Sequence, residues 1–237
     1  MNDYELKVLN NITIETVTKG IIDETSKWDF KPADYITLVN ALLDLSLNKP
    51  LIIPKNGDAQ TEAKQLINIE LPLIGEQVRI DKFDKEKDYK IAKRWLDDSF
   101  GRWFLLSRSY SRDTTFIDLI DDERNILGLI SLNDSTPIGL MGYLDYDTNQ
   151  HKAEMRKLIG EEEHRGKGYA KEATKLWIQY GTNSLGLKKI FLNTIENNIR
   201  NVTLNKELGF QIEGILRKEC FIDNKYYDLL RMGLIAE

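Results

Sequence analysis

The stretch that most limits what this chain can fold into is residues 159–173, IGEEEHRGKGYAKEA. It sets Arg165, Gly166, Lys167, Gly168, Tyr169 and Ala170 side by side, after a strand-like run and before a long amphipathic pattern. Two glycines at such a junction let the backbone turn sharply and come close to a ligand. The helix that follows offers unpaired N–H groups and the positive end of its dipole. The combination is an anion site, and phosphate is the usual anion.

The bulk of the chain sets limits on what that site can serve. Its 237 residues allow one large domain, or one domain with an appendage. A hydrophobic share of 41% and a charged share of 30% describe a globular protein with material for a core. The net charge of -5 argues against a nucleic-acid partner, which needs a basic face. One cysteine, Cys220, excludes an internal disulfide framework, and with two histidines it leaves no basis for a Cys/His metal cluster. The N-terminal MNDYELKVLNN is no signal peptide, and no apolar run approaches the ~18 residues of a membrane span. The expectation is a cytoplasmic protein without metal, membrane or nucleic-acid partners.

Residues 1–75 carry seven Lys/Arg against eleven Asp/Glu, a net of -4, which leaves -1 for residues 76–237. In the first part, Ile12, Ile14 and Thr16 alternate with polar neighbours as in a strand. Pro32 can open a helix carrying Ile36, Val39, Leu43 and Leu47. Residues 51–53 read as a short strand, and Asp58 as the cap of a helix through Leu66. This part is expected to be a small accessory α/β module, a dimerisation element or a lid, with residues 71–75 as linker.

From Glu76 the pattern is regular. Residues 78–81 alternate as a strand, and Asp84 is a suitable N-cap for a helix with Tyr89, Ala92, Leu96 and Phe100 on one side. Gly101 interrupts before a second short helix begins at Arg102, Trp103 and Phe104. Residues 114–120, 126–132, 137–143 and 151–159 read as four antiparallel strands. After the glycine loop, Ala170, Ala173, Trp177 and Tyr180 mark a long helix that ends at Gly186. Residues 190–195 form a strand parallel to the one before the loop, residues 198–208 a short helix, and residues 210–216 and 226–235 a closing hairpin. The fold class is therefore α/β (α+β), a mixed sheet of antiparallel meander, one parallel crossover and a hairpin.

This order, with its loop, resembles the GNAT superfamily of acyl-CoA-dependent N-acyltransferases. The resemblance covers residues 76–237 and rests on three stretches. Residues 165–170 fit the Arg/Gln-x-x-Gly-x-Gly/Ala loop, residues 153–160 fit the strand before it, and residues 197–210 fit the later Asn-then-Leu-Gly-Phe motif. The usual family order has one strand fewer before the loop. The resemblance implies an enzyme that takes acyl-CoA as co-substrate. The pyrophosphate would rest on backbone N–H groups of Gly166, Lys167, Gly168, Tyr169, Ala170 and Lys171, with Arg165 in the same loop. Pantetheine would pair like an added strand along Leu158, Ile159 and Gly160, where the family's strands splay. Leu158 N–H would face the developing oxyanion. Asn198 and Asn205 would contact CoA. The family often has a tyrosine seven residues after the motif's Asn, serving as acid to the leaving thiolate; here that position holds Asn205, which cannot deliver a proton.

The acceptor amine is mostly ammonium at neutral pH, so something must take its proton. Glu154, on the strand before the loop, is either that catalytic base or half of a Glu–Arg pair with Arg156. His151 is either a second base or a solvated turn residue. For the acceptor, the sequence looks similar to bacterial enzymes that acylate nucleotide-linked amino sugars for surface polysaccharides. The acyl group would be acetyl or a larger one such as hydroxybutanoyl. Protein N-terminal and polyamine acetyltransferases resemble the same stretches, and a CoA-binding sensor without activity is the reading from another class. The near-neutral charge of residues 76–237 favours the sugar nucleotide over a polyamine. Trp95, Arg102, Trp103, Phe104, Arg108 and Tyr110 cluster where the fold takes its acceptor, and of these Arg102 and Trp103 are the expected substrate-binding residues. Phe221, Tyr226 and Tyr227 are candidates for a homodimer interface.

Overall fold

The structure, a computed structural model, describes residues 3–46, 70–98, 100–105, 116–195, 199–222 and 224–236. The chain divides into two compact units, Met1–Lys55 and Asn56–Glu237.

The described part of the first unit is helical. Helix α1 spans Asp3–Thr25, a 3-10 turn Ser26–Trp28 follows, and helix α2 spans Pro32–Ser46. Asp29 between them takes a left-handed φ of 55°. Thr25 and Tyr35 meet through their hydroxyls at 2.9 Å. Pro32 opens α2 as expected, but the strand expected around Ile12 to Thr16 is part of α1. Three alternating residues are a weak signal. The span Asp3–Thr25 contains no proline and only Gly20 as a breaker, so nothing local stops a helix. The strand at 51–53 and the helix at 58–66 fall outside the described residues.

In the second unit, β1 (Leu73–Ile74) pairs antiparallel with β2 (Val78–Lys82). The expected linker therefore contributes a strand to the sheet. Helix α3 (Lys85–Asp97) starts on Asp84, whose carboxylate accepts the Glu86 and Lys87 N–H groups at 3.0 and 3.3 Å. A 3-10 turn, Gly101–Leu105, follows. Helix α4 (Phe116–Asp121) occupies the place expected for an extra strand. Its Phe116, Leu119 and Ile120 repeat at helical spacing, and Leu119 is buried. The strands β3 (Ile126–Leu132), β4 (Pro137–Asp147) and β5 (Lys152–Ile159) form the meander. The glycine loop leads to α5 (Tyr169–Asn183). Then come β6 (Lys189–Ile195), α6 (Ile199–Glu207), β7 (Gln211–Ile222) and β8 (Lys225–Ile235). The strand order is β1-β2-β3-β4-β5-β6-β8-β7, and β5–β6 is its parallel pair.

Each face of the sheet has its own cover. On one face Ala92, Trp95 and Leu96 of α3, with Phe104 and Leu119, pack on Leu127, Leu129, Leu140, Leu144 and Leu158. On the other, Trp177 of α5 stacks on Tyr143 at 5.3 Å and accepts its hydroxyl at the backbone carbonyl, 2.7 Å away. Phe100, expected on the buried stripe of α3, lies past the helix end and is 48% exposed.

Candidate active site

The sheet opens where the glycine loop begins. Strands β5 and β6 pair at only three positions: Lys152 with Lys189, Ala153 with Ile190, and Glu154 with Phe191. Beyond Glu154, β5 continues along β4 to Ile159 and β6 continues along β8 to Ile195. The two diverge and leave a slot with exposed strand edges.

The register decides which backbone groups line that slot. Gly160 N–H donates to the Ile138 carbonyl at 2.8 Å. Hydrogen-bonded pairs recur at every second residue of an antiparallel ladder. Leu158 opposite Leu140, Arg156 opposite Gly142 and Glu154 opposite Leu144 therefore turn their amides toward β4. The amides of Met155, Lys157 and Ile159 turn the other way. The His151 carbonyl, of the same parity, accepts the Lys188 and Lys189 N–H groups at the strand crossover. The expectation that Leu158 N–H faces an oxyanion is thus corrected: the slot-facing donors are Lys157 and Ile159. Gly160 is committed as well, through its N–H to Ile138 and its carbonyl to Arg165.

The loop is pinned from both sides. Arg165 folds back, its Nε donating to the Ile159 carbonyl at 3.0 Å and its terminal nitrogen to the Gly160 carbonyl at 2.8 Å. Its guanidinium lies 4.1 Å over the Phe100 ring. Arg165 therefore positions the loop with two of its five N–H donors. Glu161 is held by the Trp95 indole N–H at 2.9 Å and by an ion pair with Arg94. Gly160 is required by the same contact: a Cβ there would sit 2.2 Å from the Trp95 ring. Past this anchor, Gly166 and Gly168 take φ of 78° and 91°, and open space surrounds the place of a Cβ at both. Gly168 caps α5, and its carbonyl accepts the Lys171 and Glu172 N–H groups. The first N–H groups of the helix, on Tyr169 and Ala170, point out of its end. Lys167 is exposed beside them, and Lys171 is paired with Glu207 of α6 at 2.7 Å. This cradle and the adjoining slot fit a diphosphate with an amide-bearing arm.

The two faces of β5 carry different chemistry. Glu154 and Arg156 lie on the α3 face, both 4% exposed, and bond at 2.7 Å. Asn193 donates to the same Glu154 oxygen at 2.7 Å, and its own oxygen accepts from Arg231 at 3.1 Å. Arg156 also pulls the Cys220 thiol downward against the larger upward push of burial. Of the two roles open to Glu154, the geometry shows the Glu–Arg pair. His151 sits at φ 50° in the turn before β5.

On the α5 face, Lys157 is half-buried and donates to Asn205 Oδ1 at 2.5 Å. Burial lowers its pKa from 10.5 to about 7. Asn205 is fully buried, and its Nδ2 has no hydrogen-bond partner among the described residues. Sequence reasoning missed Lys157, although a lysine between Met155 and Ile159 on a helix-covered strand face was a visible anomaly.

Of the expected acceptor residues, Trp103 packs edge-on against Tyr227 at 5.3 Å, beside Cys220, Ile222 and Leu229. The Arg102 side chain, Asn198, Arg108 and Tyr110 fall outside the described residues. A cavity of about 610 Å³ lies elsewhere, between Lys82, Ile126 and the C-terminal end of α5 at Ser184 and Leu185. No helix among the described residues is long and apolar enough to cross a membrane.

The family of acetyltransferases called the GNAT domain matches residues 78–211. A spermidine N(1)-acetyltransferase of Vibrio cholerae is 31% identical over 151 residues, which cover 61% of this chain and 80% of that enzyme. The Escherichia coli K12 spermidine N(1)-acetyltransferase is 26% identical over 147 residues, 62% of this chain and 75% of that enzyme. A crystal structure of the Vibrio cholerae spermidine N-acetyltransferase with CoA and spermine shares the fold, with a TM-score of 0.57 at 24% identity over 68% of this chain and 96% of that one. These relatives overturn the amino-sugar expectation. The near-neutral charge behind it averages over surface ion pairs and does not report the charge of one cleft. The chain belongs to the GNAT acetyltransferase family and is an acyl-CoA-dependent N-acetyltransferase.

Proposed function

We propose that the chain transfers the acetyl group of acetyl-CoA to an amine of a small aliphatic polyamine of the spermidine class. The observation that carries this reading is the similarity to spermidine N(1)-acetyltransferases of two organisms, extending over three-quarters or more of those enzymes.

Acetyl-CoA supplies an activated acyl group as a thioester. The N-terminal amides of α5 hold the diphosphate, with Gly166 and Gly168 keeping the approach clear. The Lys157 and Ile159 amides orient the arm in the slot and stabilise negative charge on the carbonyl oxygen. The Glu154–Arg156–Asn193–Arg231 cluster holds β5, β6 and β8 in register at the floor.

The test is CoA release, followed with a thiol-reactive dye, on spermidine, spermine, N-terminal peptides and amino-sugar nucleotides. Release with the polyamines, and an acetylated polyamine by mass spectrometry, is the expected result. Release with peptides or sugar nucleotides alone overturns the reading.

A further inference from the structure

When the amine nitrogen forms its bond to the acyl carbon and the C–S bond breaks, the electron pair stays on sulfur. A thiol pKa near 8.5 means that the sulfur takes a proton in most turnovers at neutral pH. Asn205 has no proton to give, and Glu154 lies on the other face of β5, bound to Arg156.

We propose that Lys157 is the proton donor to the departing sulfur of CoA, and that Asn205 positions it. Three observations meet at this point. Lys157 stands on the slot-lining part of β5, past the last β5–β6 pair, and its side chain is on the face covered by α5 and α6. Asn205 Oδ1 fixes the ammonium from α6 at 2.5 Å. Asn205 Nδ2 is a buried donor without a partner among the described residues, a group that a bound ligand atom satisfies.

Electrostatics keep the proton transferable. Of the charged residues on the flanking helices (Lys171, Glu172 and Lys175 on α5; Arg200, Lys206 and Glu207 on α6), Lys171 is bonded to Glu207 and Glu172 accepts from Gln77. On β6, Lys189 is bonded to Glu213. Glu154 and Arg156 neutralise each other on the opposite face. Among the described residues, only burial moves the Lys157 pKa, and it moves it to about 7. A lysine in that state is partly ammonium at neutral pH. It gives its proton to the thiolate and regains, through solvent, the one lost by the acceptor amine, so the step balances.

The experiment has a readout that needs no acceptor. Lysine labelled with ¹³C at Cε reports the Lys157 titration by NMR, assigned by its loss in Lys157→Arg. The expected midpoint is near 7, moved upward by CoA and not by a CoA analogue lacking the sulfur. Lys157→Met should lower kcat with spermidine and acetyl-CoA by about 10²–10⁴-fold while CoA affinity by calorimetry is kept. It should also remove the fall of kcat above neutral pH. A midpoint near 10, or a response identical with and without the sulfur, overturns the proposal. So does a Lys157→Met enzyme of unchanged kcat and pH profile. If spermidine is no substrate, the NMR arm still decides.

Discussion

Residues 154, 156 and 157 of β5 carry three charges within four positions, and the strand sends them to opposite faces with opposite fates. On the α3 face, Glu154 and Arg156 are both buried, and each has its counter-ion at 2.7 Å. On the α5 face, the half-buried Lys157 is offered only the neutral oxygen of Asn205 among the described residues. A buried charge with a counter-ion stays charged and acts as structure, because its Coulomb partner offsets desolvation. A buried charge with only a dipole becomes easy to neutralise, and that makes it chemically useful. Glu154, read from the sequence as either a base or half of an ion pair, is found paired, and the overlooked Lys157 is the one our proposal gives a chemical role.

The sharpest test of this contrast removes one half of the pair. Glu154→Gln removes the carboxylate that neutralises the buried Arg156 guanidinium and should cost about 3–5 kcal/mol of stability in urea unfolding. The residual folded enzyme should keep most of its kcat. A variant of native stability that loses kcat a hundredfold would restore Glu154 as the base and break the comparison.

Next in size is a dependence of stability on pH that belongs to the other face. The Lys157 pKa in the fold, about 7, is below its ordinary 10.5. Between those values the unfolded chain holds a proton that the folded chain has released. Stability therefore rises with pH from about 7 toward 10, and below 7 this lysine adds no further slope. The window closes near 10, because burial raises the Tyr143 hydroxyl and disfavours its anion in the fold. Urea midpoints of the wild type should climb across the window, and those of Lys157→Met should lose that climb.

Asn205→Asp converts the lysine's environment into that of the other face. An adjacent carboxylate favours the ammonium, so the alkaline limb of kcat should move up by about 1–3 pH units. A limb that stays in place separates it from Lys157. The smallest effect is expected at Lys171→Ala, which breaks the exposed bond to Glu207. Exposed pairs contribute about 0–1 kcal/mol, so melting and the pH limb should hardly change. A large shift would mean that surface charge also tunes Lys157.

What could be read from the sequence follows the same division between local and distant causes. Gly166 and Gly168 announce themselves because a left-handed φ at a helix start is a local demand. Asp84 does too, since a cap bonds amides two and three residues away. Residues 116–121 misled because a six-residue segment with apolar positions at spacing three also contains neighbouring apolar residues that pass for a strand. The Lys157–Asn205 contact spans 48 residues and arises only when α6 is laid over the slot. The commitment of Leu158 N–H required the β4 register, which no residue of β5 states by itself. The charge argument that tilted the acceptor toward a sugar nucleotide failed because a sum over 162 residues carries no position.

The short β5–β6 pairing has a mechanical meaning. A sheet stitched at three positions and open beyond them is two plates, β1 to β5 and β6 to β7, joined along a partial seam. On the proposed function, the seam is also the berth of the acyl carrier. A carrier that bonds to both edges stiffens the join, and its departure loosens it. Product release and relaxation of the scaffold are then one event, and the amides of Met155, Lys157 and Ile159 should exchange hydrogen more slowly in the loaded protein than in the empty one.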